Sequence, residues 1–291
     1  MIWQTSRFAI DLSHPRIMGI VNVTPDSFSD GGLHATAEDA MAHCEQLVDD
    51  GADILDIGGE SSRPGAQPLP AAQELERLLP VVRHAVTLGV PVSVDTYKPE
   101  VMQAVLELGA DIINDIWALR WQDPRGGPSG ASVVTAHGAC GVCLMHMHRD
   151  PQTMQQAPMD GEVIPQVLSF LEQHVHILRG LGVDKTRICI DPGIGFGKTV
   201  TQNFALLAQQ RALLALGLPV LAGWSRKSSL AAVAGLSLAQ VATMDARERL
   251  VPSVTAALLA VQNGAQVVRV HDVRETVQAL KVWQAMNAQQ R

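Results

Sequence analysis

Eight short apolar runs, each followed by a polar residue, most constrain how this chain can fold. The runs begin near positions 17, 54, 92, 112, 142, 188, 220 and 267. Continuous apolar runs of this length are typical of parallel strands that are buried on both faces. Segments of helical pattern separate them, which predicts the α/β class and a single (β/α)8 TIM barrel, with residues 1–291 as one domain. A doubly wound parallel sheet is the alternative, because it shows the same alternation.

The segments between the runs carry signals for helix ends. Thr36 can cap the first helix, Gly51 stands just past its end, and Pro252 marks where the penultimate helix should begin or kink. Prolines and glycines over 121–130 predict an extended loop. The predicted helices cover about 37–50, 71–88, 98–108, 163–181 and 275–286.

The polar residues that follow the runs should gather in one place. The carboxyl ends of all eight strands of a TIM barrel meet on one face, which carries the active site. A doubly wound sheet would spread the same residues along an edge. The residues predicted to share this mouth are Asn22, Arg63, Asp95, Asn114, His146, Asp191, Lys227 and His271.

These side chains indicate a ligand with two chemically different parts. Buried aspartate and asparagine are costly without hydrogen-bonding partners, and the adjacent N–H groups of a planar heterocycle suit a carboxylate. The basic residues expected to hold a phosphate or a diphosphate are Arg63, Lys227, Arg269 and His271. Taken singly, each aspartate could cap a helix and each basic residue could form a surface ion pair, but their convergence favours a binding site.

The glycine-rich stretch IDPGIGFGKT at 190–199 superficially resembles a phosphate loop. Its spacing fits neither the Walker pattern nor the dinucleotide fingerprint. We therefore expect Asp191 to end a strand, with glycines that let the backbone pass close to a neighbouring group. Lys198 is expected to be solvated.

The charge and cysteine content exclude several classes of protein. A formal net charge of −7 and a pI near 5.8 argue against binding to nucleic acid or to an anionic membrane. The late apolar run at 256–261 is too short to cross a bilayer, so we expect a cytoplasmic protein without a membrane partner. Four cysteines in a chain of this size indicate reduced thiols.

Cys140 and Cys143 lie among histidines at spacings that recur in zinc sites. An intervening strand, which rises about 3.3 Å per residue, would separate Cys140 from His146 by roughly 20 Å. Zinc ligands lie about 2 Å from their metal. We therefore predict no zinc site, and we treat His146 and His148 as loop or core residues.

Seven motifs carry a resemblance to a known family. They are GIVNVTPDSFSDGG at 19–32, GGESSRPG at 58–65, SVD at 93–95, ND at 114–115, DPG at 191–193, SRKS at 225–228 and RVHD at 269–272. Together they resemble the bacterial dihydropteroate synthases, and the match runs nearly end to end. The motifs after the first, second, seventh and eighth strands separate this family from other pterin-binding barrels.

The resemblance implies a transferase of folate biosynthesis. It would condense 6-hydroxymethyl-7,8-dihydropterin diphosphate with p-aminobenzoate, release diphosphate, use Mg²⁺ and be a target of sulfonamides. A homodimer formed through the last helices is also implied. Because the pterin can delocalise the cation left by the departing diphosphate, we expect an SN1-like step, and a neutral aniline nitrogen needs no strong base before it attacks.

The resemblance also assigns roles to individual residues. The pterin would be bound by Asp95, Asn114, Asp191 and Lys227. The diphosphate would be held by Ser62, Arg63, Arg269 and His271, and Asn22 would help to bind Mg²⁺. The p-aminobenzoate pocket would be shaped by Phe28, Pro64, Lys227 and Ser228. The catalytic set is Arg63, Lys227, Arg269 and His271.

Two other functions remain open on the sequence alone. A pterin-dependent methyltransferase would share the pterin-binding aspartates and asparagine but would not need Arg63 and Arg269. An inactive pterin-binding relative should have lost loop or diphosphate residues. Near the mouth, Glu60 is expected to anchor its loop through backbone N–H groups, and Tyr97 either narrows the mouth or faces solvent.

Overall fold

The strands of the protein form two sheets. The structure is a computed structural model, which describes residues 1–23, 37–62, 65–233 and 246–290. A short N-terminal hairpin pairs β1 (Ile2–Gln4) with β2 (Ala9–Asp11). The second sheet consists of β3 (Arg16–Asn22), β4 (Ile54–Gly58), β5 (Val92–Asp95), β6 (Ile112–Asp115), β7 (Gly141–Met145), β8 (Ile188–Asp191), β9 (Leu221–Ala222) and β10 (Val267–Val270).

Helices connect the strands of the second sheet. They are α1 (Ala37–Asp49), α2 (Ala71–Ala85), α3 (Pro99–Glu107), α4 (Gly130–His137), α5 (Val163–Gly180), α6 (Val200–Ala208), α7 (Ser228–Val233), α8 (Leu250–Gln262) and α9 (Val273–Asn287). Pro252 lies in the first turn of α8, as predicted, where a proline costs no intrahelical hydrogen bond. At the start of α6, Thr199 and Gln202 form a capping box in which each side chain accepts the other's backbone N–H.

The eight parallel strands form a nearly closed (β/α)8 TIM barrel. The order runs from β8 back to β3, then to β10 and β9. A backbone bridge between Ile190 and Val220 joins β8 to the start of β9 and completes the ring. This confirms the predicted fold and excludes a doubly wound sheet, whose outer strands remain apart.

The N-terminal hairpin covers the amino ends of the barrel strands, which the sequence did not predict. Trp3 is fully buried, and its indole N–H donates to the carbonyl of Arg187 at 3.0 Å. Trp3 and Ile10 pack with interior residues from the amino-terminal halves of the strands, such as Met18 and Ile54. The hydrophobic interior of the barrel therefore lies below the mouth and is closed at the opposite end.

The loop predicted over 121–130 leads into α4, a helix that was not predicted. The Ser129 hydroxyl accepts the N–H of Ser132 at 3.1 Å, and Gly138 ends the helix at φ 78°. Thr36, the predicted cap of α1, lies outside the described residues.

The cysteines have no metal-binding arrangement in the described ranges. Cys140 and Cys143 are buried, as are Cys44 and Cys189, and all four have free thiols. Over the same ranges, no three His, Cys, Asp or Glu side chains group as metal ligands. Cys140 contacts the guanidinium of Arg187 instead, with 3.5 Å between Nη2 and Sγ.

Candidate active site

A row of residues at the carboxyl ends of four neighbouring strands forms one level of the mouth. Asn22 pairs in register with Gly58, Gly58 pairs with Asp95, and Asp95 pairs with Asn114. Backbone register alone therefore brings three predicted site residues together. Gly58 between them has no side chain, and a Cβ there would come into van der Waals contact with Asp95, 3.6 Å from its Cβ.

An ion-pair cluster lies beside this row and is centred on Arg269 of β10. Arg269 Nε lies 2.5 Å from Asp56 Oδ2, and Arg269 Nη2 lies 2.9 Å from Asp95 Oδ2. Asn114 Nδ2 donates to the Asp56 carboxylate at 3.2 Å. The guanidinium is thus held between two carboxylates, one of which had been assigned to the pterin.

Burial and ion pairing oppose each other in this cluster. Burial raises the pKa of Asp95 to about 7, although Arg269 lowers it and Asp56 raises it further. For Arg269, burial disfavours the charge, but Asp56 and Asp95 outweigh burial and raise the pKa above its usual value. Arg269 therefore remains a cation, whereas Asp95 can gain a proton near neutral pH.

Asp115 supports the turn that follows β6. Its carboxylate oxygens accept the N–H groups of Trp117 and Leu119, each at 2.7 Å. Ala118 and Leu119 have φ of 53° and 61°, a region that residues with a Cβ rarely adopt. Burial raises the pKa of Asp115 to about 7, against the effect of the two N–H donors. Asp115 therefore stabilises the backbone next to Asn114.

Asp191 ends β8 and is held by its own loop. Its Oδ1 accepts the N–H of Gly193 at 2.7 Å, and burial raises its pKa despite that contact. Gly193 has φ of 70°, and a Cβ at this position would lie 1.8 Å from the carbonyl oxygen of His146. The predicted close approach of a glycine is confirmed, and the neighbour is the backbone at the end of β7.

Lys198 is buried, so the prediction of a solvated side chain is wrong. Its side chain is enclosed because the loop after Asp191 folds back against the end of β7, and only 3% of the residue is exposed. Nζ lies 2.9 Å from His146 Nδ1 and donates to the Gly193 carbonyl at 2.8 Å. Burial lowers the pKa of Lys198 to about 7, with Asp191 opposing the decrease and Lys227 adding to it.

Lys227 lies in the turn after β9 and faces the same loop. Its Nζ is 4.3 Å from the centre of the Phe196 ring, a distance typical of a cation–π contact. Burial and the nearby Arg269 lower its pKa to about 8, whereas Asp191 and Asp95 raise it. The fold thus brings Lys227, Arg269, Asp191 and Asp95 within electrostatic reach of one another.

His271 and Ser225 connect the last two strands of the barrel. The Ser225 hydroxyl lies 2.9 Å from His271 Nδ1 and accepts the His271 backbone N–H at 3.2 Å. Next to them, Arg226 has φ of 59°, and its Nη2 lies 3.0 Å from Asp272 Oδ1. Ser228 is exposed at the start of α7.

A buried lysine organises the loop after β4. Lys98 forms ion pairs with both Glu60 and Glu74. Glu60 also accepts the Tyr97 hydroxyl at 2.9 Å and the Leu69 N–H at 3.0 Å. Glu60 therefore anchors its loop as predicted, and it does so through side chains as well as backbone. Tyr97 is partly buried against this cluster.

A cavity of about 740 Å³ adjoins this cluster. Its walls include Ser62, Asp95 and the rings of Tyr97, Trp117 and Trp121. Because Asp95 belongs to its wall and to the row of strand ends, the cavity borders the mouth. Its size is in the range of small-molecule sites.

Comparison with known proteins shows the family. Residues 18–271 match the model of the pterin binding enzyme family. The dihydropteroate synthase of Neisseria meningitidis serogroup B (strain ATCC BAA-335 / MC58) is 45% identical over 98% of this chain and 97% of its own length. This chain belongs to the dihydropteroate synthase family.

Solved structures of dihydropteroate synthases share the fold over nearly the whole chain. The Burkholderia cenocepacia protein, complexed with 7,8-dihydropteroate, has a TM-score of 0.86 and 44% identity over 100% of this chain and 98% of that chain. The Yersinia pestis protein, in complex with a sulfonamide drug, has a TM-score of 0.90 and 37% identity over 99% and 100%. Members of the dihydropteroate synthase family are transferases.

Three residues assigned by resemblance to dihydropteroate synthases lie outside the described residues. They are Phe28, Arg63 and Pro64. Ser62, which immediately precedes the second gap, is partly buried in the wall of the cavity.

The buried contacts of three charged residues were not predicted from the sequence. Asp56 contacts two predicted site residues, and its signal is a lone charge inside the otherwise apolar strand β4. Lys98 and Lys198 are buried lysines, 5% and 3% exposed. Neither lysine has a comparable signal, because lysine is mostly exposed and almost never fully buried unless it is paired.

Among the described residues of this chain, no helix is long and apolar enough to cross a membrane.

Proposed function

We propose that this protein condenses 6-hydroxymethyl-7,8-dihydropterin diphosphate with p-aminobenzoate and releases diphosphate. The observation that carries the proposal is the Arg269 guanidinium between Asp56 and Asp95, close to Asp191 and Lys227. One mouth thereby combines carboxylates for a heterocycle with cations for a diphosphate. The family relative complexed with 7,8-dihydropteroate supports the same product.

The pterin is assigned to Asp95, Asn114, Asp191 and Lys227. Asp191 Oδ1 accepts the Gly193 N–H, and the other carboxylate oxygen can accept a hydrogen bond from the amino-pyrimidine edge. Asn114 and Asp95 stand side by side in register, within reach of one planar ligand. Protonation of Asp95 near neutral pH would let it donate as well as accept.

The diphosphate is assigned to Ser62, Arg63, Arg269 and His271. The contacts of Arg269 with Asp56 and Asp95 use two of the five N–H donors of a guanidinium, so other donors remain for phosphate oxygens. The carboxylates also fix the guanidinium, so that little side-chain entropy is lost when the diphosphate binds. His271 is oriented by Ser225 at 2.9 Å.

The p-aminobenzoate is assigned to a pocket formed by Phe28, Pro64, Lys227 and Ser228. Ser228 is exposed at the amino end of a short helix, and Lys227 precedes it directly. A hydroxyl and an ammonium group at neighbouring positions suit a benzoate carboxylate.

The reaction is proposed to begin with cleavage of the bond between the pterin methylene carbon and the diphosphate oxygen. The electron pair leaves with the diphosphate, and the dihydropterin ring delocalises the resulting cation. The amine nitrogen of p-aminobenzoate then forms the new C–N bond and releases a proton to water or to an aspartate. The catalytic set Arg63, Lys227, Arg269 and His271 would stabilise the departing diphosphate, because negative charge develops there.

Mg²⁺ is proposed to accompany the diphosphate, with Asn22 as a ligand. An amide oxygen suits this hard cation, and Mg²⁺ is commonly bound by one or two protein groups together with substrate phosphates and water. The register places Asn22 one strand away from Gly58 and two from Asp95, on the level of the mouth. When bound, the ion would neutralise charge on the diphosphate.

A direct assay tests the proposed function. Purified protein is mixed with dihydropterin diphosphate, p-aminobenzoate and Mg²⁺, and both dihydropteroate and released diphosphate are measured. We expect equal amounts of the two products. A sulfonamide should block both, as the complex of the Yersinia pestis protein suggests. If the protein releases no diphosphate above the level without p-aminobenzoate and forms no dihydropteroate, the proposal fails.

We further propose a homodimer in the cytoplasm. The last two long helices expose apolar side chains, with Val251 at 73% and Val282 at 72%. Leu259 and Met286 on the same helices are also exposed, at 41% and 49%, and a contiguous exposed apolar patch marks a protein–protein interaction site. Val251→Glu combined with Val282→Glu should convert a dimer into a monomer in sedimentation analysis, and a monomeric parent protein would contradict the proposal.

A further inference from the structure

Lys198 is a buried lysine, and within the described part of the chain its hydrogen-bond partners are all neutral groups. Its Nζ lies 2.8 Å from the Gly193 carbonyl oxygen, 3.2 Å from that of Phe196 and 3.3 Å from that of His146. His146 Nδ1 lies 2.9 Å away. A buried lysine normally has a carboxylate partner. An amine that is held by carbonyl oxygens and a histidine instead points to a specific structural role.

The contacts of Lys198 join two elements of the mouth. Gly193 and Phe196 belong to the loop after β8, whereas His146 follows β7. The packing at this junction is tight, because a Cβ on Gly193 would lie 3.3 Å from Nζ and 1.8 Å from the His146 oxygen. Lys198 thus fixes the loop against the end of β7.

The loop that Lys198 holds carries contacts of two predicted site residues. The Gly193 N–H binds Asp191 Oδ1 at 2.7 Å, which orients that carboxylate. The Phe196 ring lies 4.3 Å from Lys227 Nζ. A shift of the loop would therefore move both Asp191 and the partner of Lys227.

Lys198 also supplies charge close to Asp191. Burial raises the pKa of Asp191, and Lys198 is among the groups that oppose this increase. In return, Asp191 opposes the decrease that burial causes in the pKa of Lys198. When protonated, the lysine acts as a counter-charge to Asp191, and its hydrogen bonds go to His146, Gly193 and Phe196, not to the carboxylate.

We propose that Lys198 is a positioning residue that holds Asp191 in its pterin-binding orientation through the Gly193 and Phe196 carbonyls. The inference rests on the proposed function, because it takes Asp191 to be the pterin contact. Lys198 does not touch the substrate. Its loss should weaken pterin binding and leave the chemistry of a saturated enzyme largely intact.

Two variants test this role. Lys198→Met removes the charge and the donors, and Lys198→Gln keeps an N–H₂ donor without the charge. Calorimetric titration with an unreactive pterin should show a Kd that is about tenfold higher for Lys198→Met, as expected for lost charged hydrogen bonds. The KM for dihydropterin diphosphate should rise in parallel, while kcat at saturation changes less than about threefold. The Kd and the KM of Lys198→Gln should lie between those of the parent protein and those of Lys198→Met.

Lys281→Met is the matched control, because Lys281 is exposed on α9. It should bind pterin as the parent protein does. An unchanged pterin Kd in both Lys198 variants would overturn the inference, and so would loss of the folded state in both, since the role would then be global stability. If the parent protein itself neither bound pterin nor formed dihydropteroate, the proposed function would fail instead.

Discussion

Arg269 Nε lies 2.5 Å from Asp56 Oδ2, although the two residues are 213 positions apart in the chain. Their strands, β10 and β4, are not neighbours, because β3 lies between them. The pair therefore bridges β10 and β4 past the strand between them. A cation that sequence motifs assign to the diphosphate is thus anchored by a carboxylate that no motif marks.

Asp56→Asn should lower the free energy of unfolding by about 2 kcal/mol, because Arg269 would keep only Asp95 as a charged partner. Equilibrium unfolding in urea measures this loss. Asp53→Asn is a matched control, since Asp53 pairs with Arg16 at a partly exposed position and should cost less than about 1 kcal/mol. Equal losses in the two variants would contradict a special role for Asp56.

Arg269→Ala should reduce kcat/KM for dihydropterin diphosphate by about 100-fold and raise the Kd of a bare pterin far less, by the smaller effect of removing the partner of Asp95. Charged hydrogen bonds to the diphosphate, worth about 1.5–3 kcal/mol each, would be lost. Steady-state kinetics and calorimetry measure the two quantities. Arg274→Ala, at an exposed position, should alter neither. An equal loss of turnover and bare-pterin binding in Arg269→Ala would argue against the assignment to the diphosphate.

Asp191→Asn should raise the pterin Kd by about tenfold, because a neutral amide replaces the carboxylate that faces the heterocycle. The asparagine oxygen can still accept the Gly193 N–H, so the loop should keep its shape. Calorimetric titration provides the measurement, and a circular dichroism spectrum like that of the parent protein provides the control. A small change in Kd would mean that Asp191 serves the loop and not the ligand.

Gly193→Ala should cost about 3 kcal/mol of unfolding free energy, since it combines a positive φ with a Cβ only 1.8 Å from the His146 oxygen. Urea unfolding measures the loss. Gly180→Ala is the matched control, because a Cβ there meets no atom within 4 Å and the residue ends helix α5. An alanine tolerated equally at both positions would show that the loop can move away from β7.

His146 should make the protein less stable in acid. Burial, Lys198 and Arg120 lower the pKa of His146 from 6.5 to about 2, so between these values the unfolded chain binds a proton that the folded chain does not. Stability from this group is present above pH 6.5 and declines as the pH falls, by about 2 kcal/mol between pH 6.5 and 5.

Urea unfolding at the two pH values tests this prediction. His146→Gln should lose up to about 2 kcal/mol less than the parent protein over that interval. His176→Gln, at an exposed position of α5, should retain the parent's pH dependence. The same pH dependence in the His146 variant and the parent protein would sink the prediction.

The barrel could be predicted because its strands are buried on both faces. A strand such as β4 is apolar over nearly all its length, and the residue after each strand marks the mouth. Gly51, with φ of 100°, and Pro252 mark helix ends in the same local way. These signals depend on a few neighbouring residues, so they are readable without the tertiary structure.

Contacts between distant segments could not be predicted in this way. Lys198 is buried because the loop after β8 packs against His146, and no local pattern announces that packing. The same holds for Lys98, which is neutralised by Glu60 and Glu74 from two other segments. Asp56 is the exception, because a single charge in an apolar strand signals a buried partner.

The N-terminal hairpin has a consequence for the order in which the chain folds. Trp3 is buried against the carbonyl of Arg187, 184 positions later. During synthesis, this contact cannot form until residue 187 has left the ribosome. Trp3 therefore cannot reach its native packing site while the strands before β8 are being made. The hairpin precedes the barrel strands in the chain, yet it would dock only after most of them have been made, so the lower end of the barrel would close late.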